Sequence, residues 1–287
     1  MTVFRRGVHF GSYGTVDDGP AVFDRLCAAV QTAEAAGFDA ISVPDHVHQN
    51  RVGGGPDSPR FEAYTLLGAL AARTSSVRLL ALVSPVTMRS PGLLAKAVTT
   101  VDVLSGGRAV LGLGAGWDTA EAAAYGISFP PTGERFDRLE ETLTICRAMF
   151  SEPQATVSGD YYQVSEARNS PRPVSGSIPI LVGGGGERRT LDLVARYADA
   201  CNVGGDAATV ARKLGILDRH CERAGRDPGE ITKTVFATSI PDDLAEFAQQ
   251  LAAYAQAGAQ GVVLLGPPGD AARLRALGEV VAGAFPG

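Results

Sequence analysis

Lysine is almost missing from this chain. Of its 26 basic residues only Lys96, Lys213 and Lys233 are lysines, and acidic residues outnumber basic ones to leave a formal net charge of -5. No basic field is offered to nucleic acid or to an anionic membrane, and neither is expected as a partner. Cysteine is equally sparse. Cys27, Cys146, Cys201 and Cys221 are scattered without CxxC or finger-type spacing, which argues against a disulfide framework and a zinc finger and predicts reduced thiols in a cytoplasmic protein. The four histidines supply little for a metal-dependent hydrolytic barrel, which usually needs several His and carboxylate ligands at strand ends. His9, Asp45 and His46 are the one set considered for a single ion, and no metal site is expected. The first residues form no apolar stretch of signal-peptide length, and no window approaches the run needed to span a bilayer. GxSxG, GxxxxGK[ST] and GxGxxG fingerprints are absent too.

What is present is alternation. Short β-branched runs and longer amphipathic stretches follow one another almost from end to end of the 287 residues. Strands are predicted at Val8–Gly11, Ala40–Val43, Val77–Val83, Ala109–Leu113, Ile178–Val182, Ala200–Val203, Thr232–Ala237 and Gly261–Leu265. Helices are predicted between them. Asp17-Asp18-Gly19-Pro20 caps the first, where Val22, Leu26, Val30 and Ala33 recur at helical spacing before Gly37. The others fall near residues 62–73, 92–104, 134–150, 187 onward, 207–224, 242–257 and 270–284. Eight βα units without a break in composition predict an α/β fold, a single (β/α)8 TIM barrel over residues 1–287. A polar, Pro-rich insertion, about residues 151–176, precedes strand five and contains a hairpin around Gly159–Tyr162. In such a barrel the chemistry belongs at the carboxyl ends of the strands.

Several unusual residues fall at those ends. Gly183, Gly184, Gly185 and Gly186 run into Glu187, Arg188 and Arg189. Glycine permits positive φ and close approach of backbone to a ligand, and a following helix start aims free N–H groups outward. The run is therefore read as an anion cradle, with the two arginines as added donors. His46, beside Asp45, reads either as an acid/base or cofactor-binding group or as a loop-ordering histidine, and the residues alone leave both open. Trp117, the sole tryptophan, either walls a planar ligand or packs at the rim. Tyr161 and Tyr162 read as hairpin packing. The glycine-rich loop Arg51–Pro59 is a candidate lid.

Four stretches in this order, AEAAGFDAISVPDH, LSGGRAVLGLGAGWDTAEAAAYGI, FPPTGERFDRLEETLTICRAMF and ILVGGGGERRTLDLVARYADACN, resemble the luciferase-like monooxygenase superfamily, and most closely its coenzyme F420-dependent oxidoreductase branch. The resemblance covers roughly residues 3–265. It implies a TIM barrel, an oxidoreductase with a small-molecule substrate, coenzyme F420 (a deazaflavin) or alternatively FMN as cofactor, and a possible homodimer. It further implies that Asp45 and His46 lie by the deazaflavin ring, with His46 the catalytic candidate. Ala81 and Leu82 stand where relatives place a non-proline cis peptide behind that ring, and Val83 and Ser84 continue this wall. Gly114, Ala115, Gly116, Trp117 and Asp118 flank the cofactor, and Gly183–Arg188 hold its phosphate. One position departs from the pattern. Ala115 stands where sugar-phosphate dehydrogenases of the branch carry a glutamate acid, so their substrate is not expected here. Asp118 stands where those relatives have asparagine. The rival readings are an FMN-dependent monooxygenase, a non-catalytic flavin-binding protein and a metal-dependent barrel hydrolase.

Overall fold

The computed structural model describes residues 2–13, 19–49, 54–267 and 269–286. The chain runs β1 (Arg6–His9), α1 (Gly19–Ala35), β2 (Ala40–Val43), α2 (Ala63–Ala71), β3 (Arg78–Ala81), β4 (Ser84–Pro85), α3 (Pro91–Ser105), β5 (Ala109–Gly114), α4 (Thr119–Ala124) and α5 (Thr132–Ser151). It continues through β6 (Ala155–Ser158), β7 (Gln163–Ala167), β8 (Ile180–Gly183), α6 (Thr190–Tyr197), β9 (Ala200–Val203), α7 (Ala207–Ala224), β10 (Thr232–Ala237), α8 (Leu244–Gln256), β11 (Gly261–Leu265) and α9 (Ala271–Ala284).

Eight parallel strands close on themselves in the order β3-β2-β1-β11-β10-β9-β8-β5, and a direct β3–β5 pairing shuts the ring. This is the expected TIM barrel. Its strands are buried on both faces, as apolar runs such as AISV and ILV require. Inside the ring Ala40, Leu80, Val110, Leu181, Ala200 and Val263 meet as one cluster, and Val3 and Phe4 plug it from the amino-terminal end. The plug is fastened by the Val3 N–H, which donates to Thr232 Oγ1 (2.9 Å). Leu82, Val83 and Phe236 cover the cluster at the opposite end. The barrel is therefore a filled core, and only its carboxyl-terminal mouth is left for a ligand.

Most boundaries follow local chemistry. Helix α3 starts with proline in its first turn and ends at Gly106 in the left-handed conformation (φ 70°). Helix α7 begins at Asp206, whose side chain accepts from Thr209 N–H, and ends at left-handed Gly225. The proposed caps Asp17 and Asp18 lie outside the described residues, as do residues 51–53 of the candidate lid. The hairpin of the insertion forms as expected, from β6 and β7 in antiparallel register. Its turn is held by Glu141, whose carboxylate accepts the backbone N–H groups of Asp160 (2.7 Å) and Tyr162 (2.8 Å). Two expectations change. Helix α4 has no counterpart in the sequence reading, because six alanine-rich residues carry no apolar period. Helix α6 starts at Thr190 rather than Glu187, with a turn in between.

Candidate active site

A cavity of about 400 Å³ opens at the mouth between the ends of β3, β5, β8 and β10. Its walls bring together ten of the residues singled out from sequence: His46, Leu82, Val83, Gly114, Ala115, Gly116, Trp117, Asp118, Gly183 and Gly184. Phe129, Phe136 and Phe236 add apolar surface, and Thr190 and Asn202 add polar groups beside the glycine turn.

The wall at the end of β3 is set by a single side chain. Strand pairing holds Ala81 against Val43, and the Leu82 N–H still donates to the Val43 carbonyl (2.9 Å). The first peptide beyond that ladder, Leu82–Val83, is cis. This corrects the expected position, Ala81–Leu82, by one residue: the bond falls where ladder pairing has ended. Val83 then projects between β5 and β8. A Cβ on Gly114 or on Gly183 would lie 2.7 Å from a Val83 methyl, so both glycines are needed to admit it. Ala81 is buried within the strand. Ser84 is buried behind the wall and shares a 2.7 Å hydrogen bond with the Tyr64 hydroxyl.

Asp45 and His46 part company. Asp45 is buried (1% exposed) and faces away from the cavity, where Arg89 donates to both its carboxylate oxygens at 2.5 and 3.0 Å. Arg89 also binds Glu62 (2.5 Å) and lies 4.9 Å over the Tyr64 ring. Burial works against the Arg89 charge, but the Asp45 bond and field outweigh it and hold the guanidinium above its ordinary pKa. Asp45 thus braces the β2 end.

His46 points into the cavity beside Trp117, whose ring centroid is 5.5 Å away and which is largely exposed. On its other side His46 Nδ1 donates to Glu121 Oε2 (2.7 Å). The second oxygen of Glu121 accepts the N–H groups of Val47 (2.7 Å) and His48 (3.3 Å). Burial alone would raise the Glu121 carboxyl, but the His46 contact and these backbone donors bring it below its usual value. Helix α4 delivers this carboxylate: Asp118 caps it, accepting the Glu121 N–H (2.9 Å). Asp118, Glu121 and His46 place side-chain ligand atoms within 4.8 Å of one another. The Asp45–His9–His46 trio considered from sequence is not assembled, since Asp45 is taken by Arg89 and His9 Nδ1 meets Ser42 Oγ (3.0 Å). Burial first, and then the charges of Arg60 and His46, push His9 down to about 3, so it stays neutral in the interior.

The glycine turn is explained in part by the protein itself. Gly184 has φ +123°, which only glycine adopts readily, and a Cβ on Gly186 would fall 2.6 Å from Thr190 Oγ1. The Glu187 carboxylate is committed to Arg212, and its carbonyl accepts from His220 Nε2 (2.8 Å). Arg189 binds Asp137 (2.6 Å). Arg188 is exposed and forms no ion pair among the described residues. Of this turn Gly183 and Gly184 line the cavity, and Gly185, Gly186, Glu187 and Arg188 are not part of its lining.

Sequence reasoning missed Glu121 and Arg135. Nothing marks Glu121 in an alanine run. Arg135 ties the end of β5 down, donating from Nε to the Ala115 carbonyl (3.1 Å) and stacking on Phe129 at 4.2 Å. Asn202 did carry a signal, as a polar residue within a buried strand; its amide donates to Thr234 Oγ1 (2.9 Å).

Comparison with known proteins places this geometry in a family. The chain is 36% identical over 215 residues to an F420-dependent glucose-6-phosphate dehydrogenase of Intrasporangium calvum, covering 71% of this chain and 61% of that one. It is 30% identical over 235 residues to an uncharacterized protein of Mycobacterium tuberculosis, covering 77% and 82%. Among solved structures, an F420-dependent secondary alcohol dehydrogenase in complex with an F420-acetone adduct superposes with a TM-score of 0.82 at 17% identity, over 99% of this chain and 100% of that one. The FMN-bound oxygenating constituent of 3,6-diketocamphane monooxygenase from Pseudomonas putida superposes at 0.78 and 15% identity, over 99% of each chain. No described helix is long and apolar enough to cross a membrane. The family model described as luciferase-like monooxygenase matches residues 2–280, and the chain belongs to that family.

Proposed function

We propose that this protein is an oxidoreductase that exchanges hydride between coenzyme F420 and a small organic substrate at the barrel mouth. The observation that carries the reading is the pairing of one cleft with two ends. At one end an apolar wall of Leu82, Val83 and Phe236 faces His46 and Trp117, and at the other the glycine turn opens beside Thr190. A flat tricycle with a phosphate-bearing arm fits such a cleft, and curated relatives at 31–36% identity are F420-dependent dehydrogenases.

The bound carrier supplies the hydride chemistry. The protein's residues position and shield. Val83 and Leu82 back the ring, and the turn from Gly183 to Arg188 takes the anionic arm. His46 handles a proton at Nε2, because Nδ1–H is held on Glu121 and the outer nitrogen is left facing the cavity. Asp118 keeps Glu121 in place by starting α4. Ala115 brings no carboxyl acid to the β5 end, so a sugar phosphate is not proposed as substrate; an alcohol or carbonyl handled by His46 alone is. FMN is the second reading, since the same turn suits any tricycle ending in a phosphate.

Two turnover assays test the choice, an anaerobic one with F420 and an aerobic one with FMN. Oxidised F420 is expected to lose its visible absorbance with one or more of a panel of secondary alcohols, and reduced FMN is expected to give no enzyme-dependent oxygen uptake. Oxygen uptake with reduced FMN, and none of the bleaching, would transfer the protein to the monooxygenase reading.

A further inference from the structure

The four cations around the glycine turn divide into two kinds. Arg189 and Arg212 have carboxylate partners, Asp137 and Glu187. Lys213 and Arg188 have none among the described residues. Lys213 is the more informative, because its position is built. It rises from α7, crosses the loop after β9 and donates from Nζ to the Gly204 carbonyl (2.7 Å). Its ammonium then rests against Gly185. A Cβ on Gly185 would overlap Nζ and lie 3.1 Å from Cε. Gly185 has no positive φ, so its own backbone does not call for glycine; the missing side chain makes room for the lysine.

The other two lysines serve elsewhere. Lys96 binds the Ser170 carbonyl and Lys233 pairs with Asp218 (3.6 Å). In a chain that otherwise uses arginine, a compact ammonium has been seated at the one turn read as an anion site. Burial lowers Lys213 below its ordinary pKa and the Arg212 charge adds to this, which marks surroundings short of negative charge. Within the turn the Gly184 N–H is given to the Asn202 carbonyl (3.1 Å). To the backbone donors of the turn a lysine adds a point charge, with donors besides the one given to Gly204.

We infer that Lys213 is a ligand of the carrier's phosphate, reaching it from the β9–α7 side of the glycine turn. The inference rests on the reading that this turn holds that phosphate. Its function is to favour phosphorylated carriers over their phosphate-free forms.

The test compares each carrier with its phosphate-free counterpart, FMN against riboflavin and F420 against the deazaflavin lacking the phosphate arm, by fluorescence titration of the whole protein. The wild type is expected to favour the phosphorylated form by at least about tenfold. Lys213→Gln is expected to remove most of that ratio while leaving affinity for the phosphate-free form within about twofold. Gly185→Ala displaces the same ammonium without touching the lysine, so it should give the same loss, and the double variant should lose no more than either single one. An unchanged ratio in both variants overturns the inference but leaves the turn as a phosphate site. Equal losses for both forms show that Lys213 only supports the fold, which also overturns it. A wild type that does not distinguish the two forms removes the phosphate reading itself.

Discussion

The two ends of the cleft are built on opposite principles. At the ring end the key polar side chains have protein partners: His46 holds Glu121, Glu121 holds two backbone amides, and Asp45 is bound by Arg89. At the phosphate end, Lys213 and Arg188 stand without counter-charge among the described residues. The first end is preorganised, so that little rearrangement is needed when a proton moves. The second is charge-incomplete and is completed by its ligand. Removing one partner should therefore damage the protein itself at the ring end, and should damage only binding at the phosphate end.

The largest expected effect follows from breaking the buried pair. Arg89→Ala leaves the Asp45 carboxylate buried and uncompensated, and stability should fall by about 3–5 kcal/mol in a denaturant titration. A loss below about 1 kcal/mol would show that water reaches Asp45 and that the brace is dispensable. Next comes the catalytic group. His46→Ala should reduce turnover by roughly a hundredfold or more while carrier affinity changes only slightly. Glu121→Gln should fall between this variant and the wild type, because the imidazole keeps a weaker partner at Nδ1 in place of the carboxylate that orients it. Undiminished turnover in His46→Ala would remove the residue from the reaction. Smaller again is the effect at the phosphate end, where Lys213→Gln should leave the melting temperature unchanged. A loss of stability like that of Arg89→Ala would erase the contrast between the two ends.

Much of this arrangement was legible in the sequence. Four strands, Ala40–Val43, Ala200–Val203, Thr232–Ala237 and Gly261–Leu265, and helix Ala207–Ala224 fall at the residues expected of them, each a patterned run with Gly, Pro or Asp near its ends. The residues that converge on the cavity were also the odd ones at strand ends. What escaped had no periodic or compositional mark. Helix α4 is one and a half turns of mostly alanine, and its only message, Asp118 three residues before Glu121, becomes meaningful once both face His46. Asp45 and His46 are neighbours in sequence, yet the chain sends them to opposite sides of the β2 end, which neighbouring positions cannot disclose. The four glycines read as one device. In three dimensions Gly183 admits Val83, Gly184 supplies positive φ, Gly185 seats Lys213 and Gly186 clears Thr190.

The most direct test of the whole account is an isothermal titration of the purified protein with coenzyme F420 and, separately, with FMN. Saturable one-to-one binding of F420, tighter than that of FMN, is the predicted result. Binding of neither carrier would contradict the account at its centre, and tighter binding of FMN would overturn the choice of carrier.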